Sequence, residues 1–72
     1  MAQTERGKYR FTVKESANGE PWIMLEPLGE TLPLLKNGFI SFDLRAGITL
    51  DDAQKLTQEL NKEITGVSVT RF

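Results

Sequence analysis

The run FDLRAGITLDDAQKLTQELNKEI, from Phe42 to Ile64, constrains this chain more than any other segment. It reads as a strand ending, a tight glycine turn, a capped helix start and one amphipathic helix. Thr49 stands at the N-cap, with an acid three residues on at Asp52. A threonine cap accepts a hydrogen bond from a first-turn N–H that the helix leaves unpaired, and the acid can reach back to the cap's own N–H. Asp51 and Asp52 put negative charge where the helix dipole favours it. Leu50, Ala53, Leu56, Leu60 and Ile64 recur at spacings of three and four and predict one apolar face. Asp51, Gln54, Lys55, Gln58, Glu59, Asn61 and Lys62 cover the rest, and Gly66 follows as the expected C-cap region.

Upstream of the helix the pattern changes to a period of two. Tyr9, Phe11 and Val13 alternate with Lys8, Arg10, Thr12 and Lys14, which predicts a half-buried strand over Lys8 to Glu15. Met1 to Gly7 is polar and expected to be a disordered, frayed arm. Ser16 to Glu20 is a turn, in which Asn18-Gly19 suits the positive φ of a hairpin. Pro21 to Glu26 is the partner strand, with proline at its start where a missing N–H is tolerated. Pro27 to Pro33 is a loop, after which Leu32, Leu34 and Leu35 are expected to fold under the helix. Asn37-Gly38 marks a second turn, Phe39 to Leu44 a third strand and Val67 to Phe72 a short last one.

The order is β-β-β-α-β. It predicts a two-layer α+β domain: a mostly antiparallel four-stranded sheet with one helix on one face. Two connections fit the last step. The helix can make a right-handed crossover between parallel third and fourth strands, or it can pack diagonally while the last strand joins an edge.

A chain of 72 residues makes one domain and buries only roughly 60–65% of its unfolded surface, so a shared surface would add stability. There is no cysteine and no histidine. Disulfides, thiol nucleophiles, Cys/His zinc sites and histidine general bases are thereby excluded. Nine Lys and Arg against ten Asp and Glu argue against a wholly polyanion-binding surface, though not against a local basic strip. No run is long and apolar enough to cross a membrane, and MAQTERGKYR has no apolar stretch of the kind a secretion signal needs, so a cytoplasmic protein is expected.

Alternation sorts the strand residues onto two faces. Tyr9, Phe11, Val13, Ile23, Leu25, Ile40, Phe42, Leu44, Val67 and Val69 form the helix-facing set. One helix covers one side only. Trp22, Met24 and Phe39, with Phe72, are therefore expected on an open face beside a basic strand. Contiguous exposed apolar surface marks interfaces, where tryptophan and methionine are enriched. Two other arrangements would remove this face: Leu32 to Leu35 or the N-terminal arm folding over it, or a one-residue bulge near Pro27 swapping the two sides.

Other chemistry is weakly supported. Lys8, Arg10 and Lys14 could track phosphates while aromatic rings stack on bases. The rings are not on the basic strand, however, and Glu26 and Asp43 intrude. Glu26 with Glu30, or Asp43 with Asp51 and Asp52, could supply paired carboxylates, but a chain this small builds no deep cleft. The same acids lack EF-hand spacing. Asp43 and Arg45, two apart, are expected to pair at the surface. Gly29, Gly38, Gly47 and Gly66 form no phosphate-binding pattern.

EPLGETLPLL, and then the run from Gly38 to Ile64, resemble a group of small uncharacterised bacterial proteins. They share a Gly-Phe-x-x-Phe-Asp-Leu-Arg-x-Gly-Thr-like strand-turn-helix segment, and the likeness extends from Tyr9 onward. That group has no assigned activity, so the resemblance transfers no functional residue. At the level of fold the chain is also similar to the HicB-type antitoxins, which share the β-β-β-α-β order and a Thr-x-x-Glu-Ala helix start, matched by Thr49, Asp52 and Ala53. Those proteins bind a small toxin, and many carry an added DNA-binding domain. Neither that domain nor their aromatic-Pro-Gly signature before the helix is found in this sequence.

The expected function is thus a non-enzymatic protein-interaction module, a homodimer or a subunit for another small protein, using Trp22, Met24, Phe39 and Phe72. The alternative is an antitoxin-like or nucleic-acid-associated regulator using Lys8, Arg10 and Lys14. No catalytic residue, cofactor, metal ligand or membrane partner is expected.

Overall fold

The structure, a computed structural model, describes residues 2–35 and 38–72. Alternating apolar residues build the centre of the sheet. Tyr9 and Phe11 in β1 (Gln3–Glu15) and Ile23 and Leu25 in β2 (Pro21–Pro27) are buried on one side of an antiparallel ladder. The hairpin between them closes through Gly19, whose φ of 83° a side chain would resist. The Ser16 N–H donates to the Glu20 carbonyl at 2.9 Å, and the Asn18 side chain accepts from the Ser16 hydroxyl. A single 3-10 turn over Pro33–Leu35 leads to β3 (Ile40–Phe42), then to α1 (Leu50–Glu63) and β4 (Gly66–Arg71). Asn37 of the expected Asn37-Gly38 turn lies outside the described residues.

All neighbouring strands are antiparallel, in the order β3-β2-β1-β4. This is the expected two-layer α+β architecture. Of the two connections compatible with the sequence, the second occurs: β3 and β4 lie at opposite edges, and α1 carries the chain across the sheet between them.

β1 is longer than its apolar pattern indicates. Tyr9 to Glu15 pair with β2, whereas Gln3 to Lys8 pair with β4, from Gln3↔Arg71 to Lys8↔Gly66. The expected frayed arm over Met1 to Gly7 therefore differs from what is found, since Gln3 to Gly7 form half of a strand. These residues are held by the ladder to β4, by the Thr4–Thr70 hydroxyl contact at 3.0 Å, and by Glu5, whose Oε1 accepts from the Leu34 N–H at 2.6 Å.

The helix caps as its sequence predicts, with Thr49 Oγ1 accepting from the Asp52 N–H at 3.1 Å. Its buried stripe is rotated from the expected one. Ala53 and Thr57 are buried and Leu60 is half-buried, while Leu50, Leu56 and Ile64 remain 38–40% exposed. Thr57 tolerates burial because its hydroxyl proton is shared between the carbonyls of Ala53 and Gln54, at 2.9 and 2.8 Å. Small side chains here let the helix sit close to β1 and β2. The expected C-cap role of Gly66 is also corrected: Ile64, in an extended conformation, caps α1, and Gly66 opens β4.

Leu32 joins the buried cluster of Tyr9, Phe11, Ile23 and Leu25, with Leu35, Ile40, Leu44, Leu60, Val67 and Val69 packed around it. Helix and leucine segment thus share one side of the sheet. α1 lies against β1 and β2, and the 3-10 turn lies against β4. Among the described residues no helix is long and apolar enough to cross a membrane.

Candidate interaction face

The ladder between β1 and β2 runs from Tyr9↔Pro27 to Glu15↔Pro21 without a bulge, so alternation is kept along the hairpin. The residues opposite the core come together as Lys14↔Trp22, Thr12↔Met24 and Arg10↔Glu26, with Ser41 of β3 beside Met24. Neither arrangement that would have hidden this side occurs. Leu32 lies in the core on the opposite face, and the N-terminal residues extend β1 within the sheet.

The Trp22 and Phe39 rings stack with centroids 6.3 Å apart at 28°. Phe39 is 59% exposed, and Trp22 and Met24 are half-buried. The two rings form the floor of an open groove of about 510 Å³, lined also by Ser16, Glu20, Pro21, Ser41, Asp43 and Leu44. Its rim carries carboxylates and hydroxyls. The faces of the rings attract cations.

Phe72 is not part of this patch. β4 ends at Arg71↔Gln3, whereas Trp22 stands opposite Lys14. Eleven residues of β1 separate those positions, roughly 36 Å of strand. Phe72 is fully exposed at the far end of the sheet.

The three basic candidates share the open face but not one environment. Lys8 and Arg10 are exposed, whereas Lys14 Nζ lies 3.3 Å from Glu26 Oε1. The Thr12 hydroxyl and, next to it, the Lys14 ammonium hold the Glu26 carboxyl below the usual carboxylate range, and Arg10 adds to this at longer reach. Pairing of Gln3 to Lys8 with β4 brings a fourth cation onto this face. Arg6 has the same parity as Lys8 and Arg10, so the three stand in one row. Arg6 could not be found from the local pattern, because Gln3, Glu5 and Gly7 supply no apolar alternation to signal a strand.

Asp43 and Arg45, expected to pair, form no ion pair; those found among the described residues are Lys14–Glu26 and the exposed Lys55–Asp51 pair within α1. Among the described residues no three acidic side chains gather closely enough to hold a metal ion. Compared with known proteins, the chain matches no family model, no curated protein and no solved structure.

Proposed function

We propose that this chain is a non-enzymatic interaction module that binds a protein surface through the open face of its sheet. The observation that carries this reading is the Trp22–Phe39 stack on a face over which no helix or strand of the described residues lies. The core closes without these side chains: Tyr9, Phe11, Ile23, Leu25 and Leu32 pack on the opposite side. Aromatic anchors of this type, ringed by polar groups, contribute most of the binding energy at many protein interfaces. The test is the double variant Trp22→Ala with Phe39→Ser, followed by sedimentation equilibrium and by partner capture. Loss of self-association or of a captured partner is expected. Unchanged mass and unchanged capture would remove the proposal.

A second reading, an antitoxin-like or nucleic-acid-associated regulator, is favoured by the row of Arg6, Lys8 and Arg10. It predicts oligonucleotide binding that weakens with salt and on neutralising Lys8, Arg10 and Lys14. No binding at low salt would exclude it. Lys14 is already engaged by Glu26, and Asp43 borders the aromatic pair, so the charge pattern favours a protein surface.

A further inference from the structure

The sheet has two outer edges, and they are protected unequally. β3 offers three residues, a short edge of the kind that blunts pairing. β4 offers six, and no strand of the described residues lies along its outer side. Long edges are commonly guarded by proline, lysine or a bulge. Gly66–Arg71 has none of these, and Arg71 is its one charge.

Pairing with β1 fixes which groups point outward. The Tyr9 N–H donates to the Thr65 carbonyl in register with the ladder from Gln3↔Arg71 to Lys8↔Gly66. Hydrogen-bonded pairs alternate along an antiparallel ladder. Glu5↔Val69 and Gly7↔Val67 are thus the pairs that exchange backbone bonds, and Ser68 and Thr70 turn their N–H and C=O groups away from β1. The Thr4–Thr70 hydroxyl contact at 3.0 Å agrees with this phase, because side chains approach most closely in the pairs without backbone bonds. Outward N–H and C=O groups on an edge are the chemistry that recognises another extended backbone.

The side chains beside this edge select one such backbone. On the core side Arg71 is exposed and has no ion-pair partner among the described residues, and Glu5 stands one strand in and two residues along. On the open side Phe72 is fully exposed, and Arg6 stands opposite Ser68. Consider two copies of β4 paired antiparallel, with Thr70 opposite Thr70 on a two-fold axis. Arg71 then stands opposite Val69 of the second copy, level with that copy's Glu5. Phe72 stands opposite Ser68 of the second copy, level with that copy's Arg6. Each contact crosses two strand spacings, roughly 10 Å, over one small side chain. An arginine with a glutamate, or an arginine with a phenylalanine ring, can close that gap and attract one another. Symmetry makes each contact twice. The two Arg71 side chains extend in opposite directions, so they do not meet, and the central threonines form a favourable cross-strand pair.

We propose that β4 pairs with β4 of a second copy in this register, which joins the two four-stranded sheets into one. The same edge serves both copies, so the contact closes and no β4 edge is left over. It stands apart from whatever occupies the Trp22 face. Its axis runs perpendicular to the sheet, so both open faces come to lie on the same side. The joined sheet presents two Trp22–Phe39 stacks to a partner, which raises avidity where that partner has two sites.

Sedimentation equilibrium on the wild-type chain is expected to show a dimer. In that dimer the outward amides of Ser68 and Thr70 are protected from hydrogen exchange, and they lose protection on dilution. Thr70→Pro removes one outward N–H at a position where an edge strand tolerates proline, and is expected to weaken self-association at least about tenfold. Arg71→Glu, at an exposed position, sets like charges against Glu5 of the second copy and is expected to weaken it by a similar factor of about ten. Adding Glu5→Gln removes that repulsion, keeps an acceptor for the Leu34 N–H, and is expected to recover part of the loss. Trp22→Ala with Phe39→Ser is expected to leave the dimer intact. A monomeric wild-type chain up to millimolar concentration overturns the inference. So does a dimer in which the Ser68 and Thr70 amides exchange freely, or one that dissociates only when Trp22 and Phe39 are replaced. A dimer lost in Thr70→Pro but indifferent to Arg71→Glu overturns the register.

Discussion

Asn61 of α1 takes both backbone hydrogen-bonding groups of Phe11: its Oδ1 accepts from the Phe11 N–H at 2.6 Å, and its Nδ2 donates to the Phe11 carbonyl at 2.9 Å. The ladder between β1 and β4 ends at Lys8↔Gly66, and one more bond follows from the Tyr9 N–H to the Thr65 carbonyl at 3.3 Å. Beyond that point no strand of the described residues lies along this edge of β1. The carboxamide offers the same donor and acceptor that a strand residue would. It therefore joins the two layers of the domain and blunts an edge on which another chain could pair.

Asn61→Ala should leave a part-buried N–H and C=O without partners. A loss of about 1–3 kcal/mol is expected, read as a lower urea midpoint at constant slope. An unchanged midpoint would mean that water replaces the carboxamide without cost.

Thr49→Ala removes the acceptor for the Asp52 N–H. It should cost about 1 kcal/mol, and Thr49→Asp should restore most of that because aspartate caps equally well. Thermal melts of the three chains check the order; equal midpoints would show that the cap contributes nothing.

Gly66→Ala would place a Cβ 2.7 Å from the Gly7 carbonyl oxygen, a backbone atom that can move only with its strand. A loss of about 1–3 kcal/mol is expected from this overpacking. Gly29→Ala meets nothing within 4 Å and is the control, expected within about 0.5 kcal/mol of wild type. Similar melting temperatures for the two variants would contradict the close approach of β1 and β4.

The Glu26 carboxyl is held low by Thr12 and Lys14, so the folded chain binds fewer protons than the unfolded chain just below the ordinary glutamate range. The resulting stabilisation is complete above the unfolded value and is lost as pH falls through the depressed folded value. Urea midpoints measured against pH should show a shallower acid limb in Glu26→Gln than in wild type. Parallel limbs would mean that the ion pair with Lys14 is not maintained in solution.

Much of this architecture is legible residue by residue. The cap at Thr49, the hairpin at Gly19, the inward run Tyr9-Phe11-Val13 and the outward placing of Trp22, Met24 and Phe39 all follow from local periodicity and turn chemistry. What escapes is whatever depends on distant partners. Gln3 to Gly7 carry no strand pattern and are ordered by β4, from the other end of the sequence. Thr57 is buried in place of Leu56 because close helix approach favours a small residue that can satisfy its own hydroxyl. Asn61 reads as a solvent residue until the gap in the ladder beside Phe11 is known. Phe72, grouped with Trp22 by parity, is separated from it by the stagger of β4 along β1. The Arg6 end of the open face escapes for the same reason, since its row exists only after the first and last strands have paired.

That pairing has a consequence for how the protein is made. Thr4 and Thr70 are neighbours in the sheet although they are 66 residues apart in the chain. Synthesis delivers the first half of β1 long before its partner strand, so the hairpin of β1 and β2 emerges well before β4. Closing so long a loop is a slow, late step. While the chain is still being translated, its aromatic end has already been synthesised but its basic end has no ordered strand to stand on. Any contact that needs both ends of the face must then wait until β4 has emerged and paired with β1.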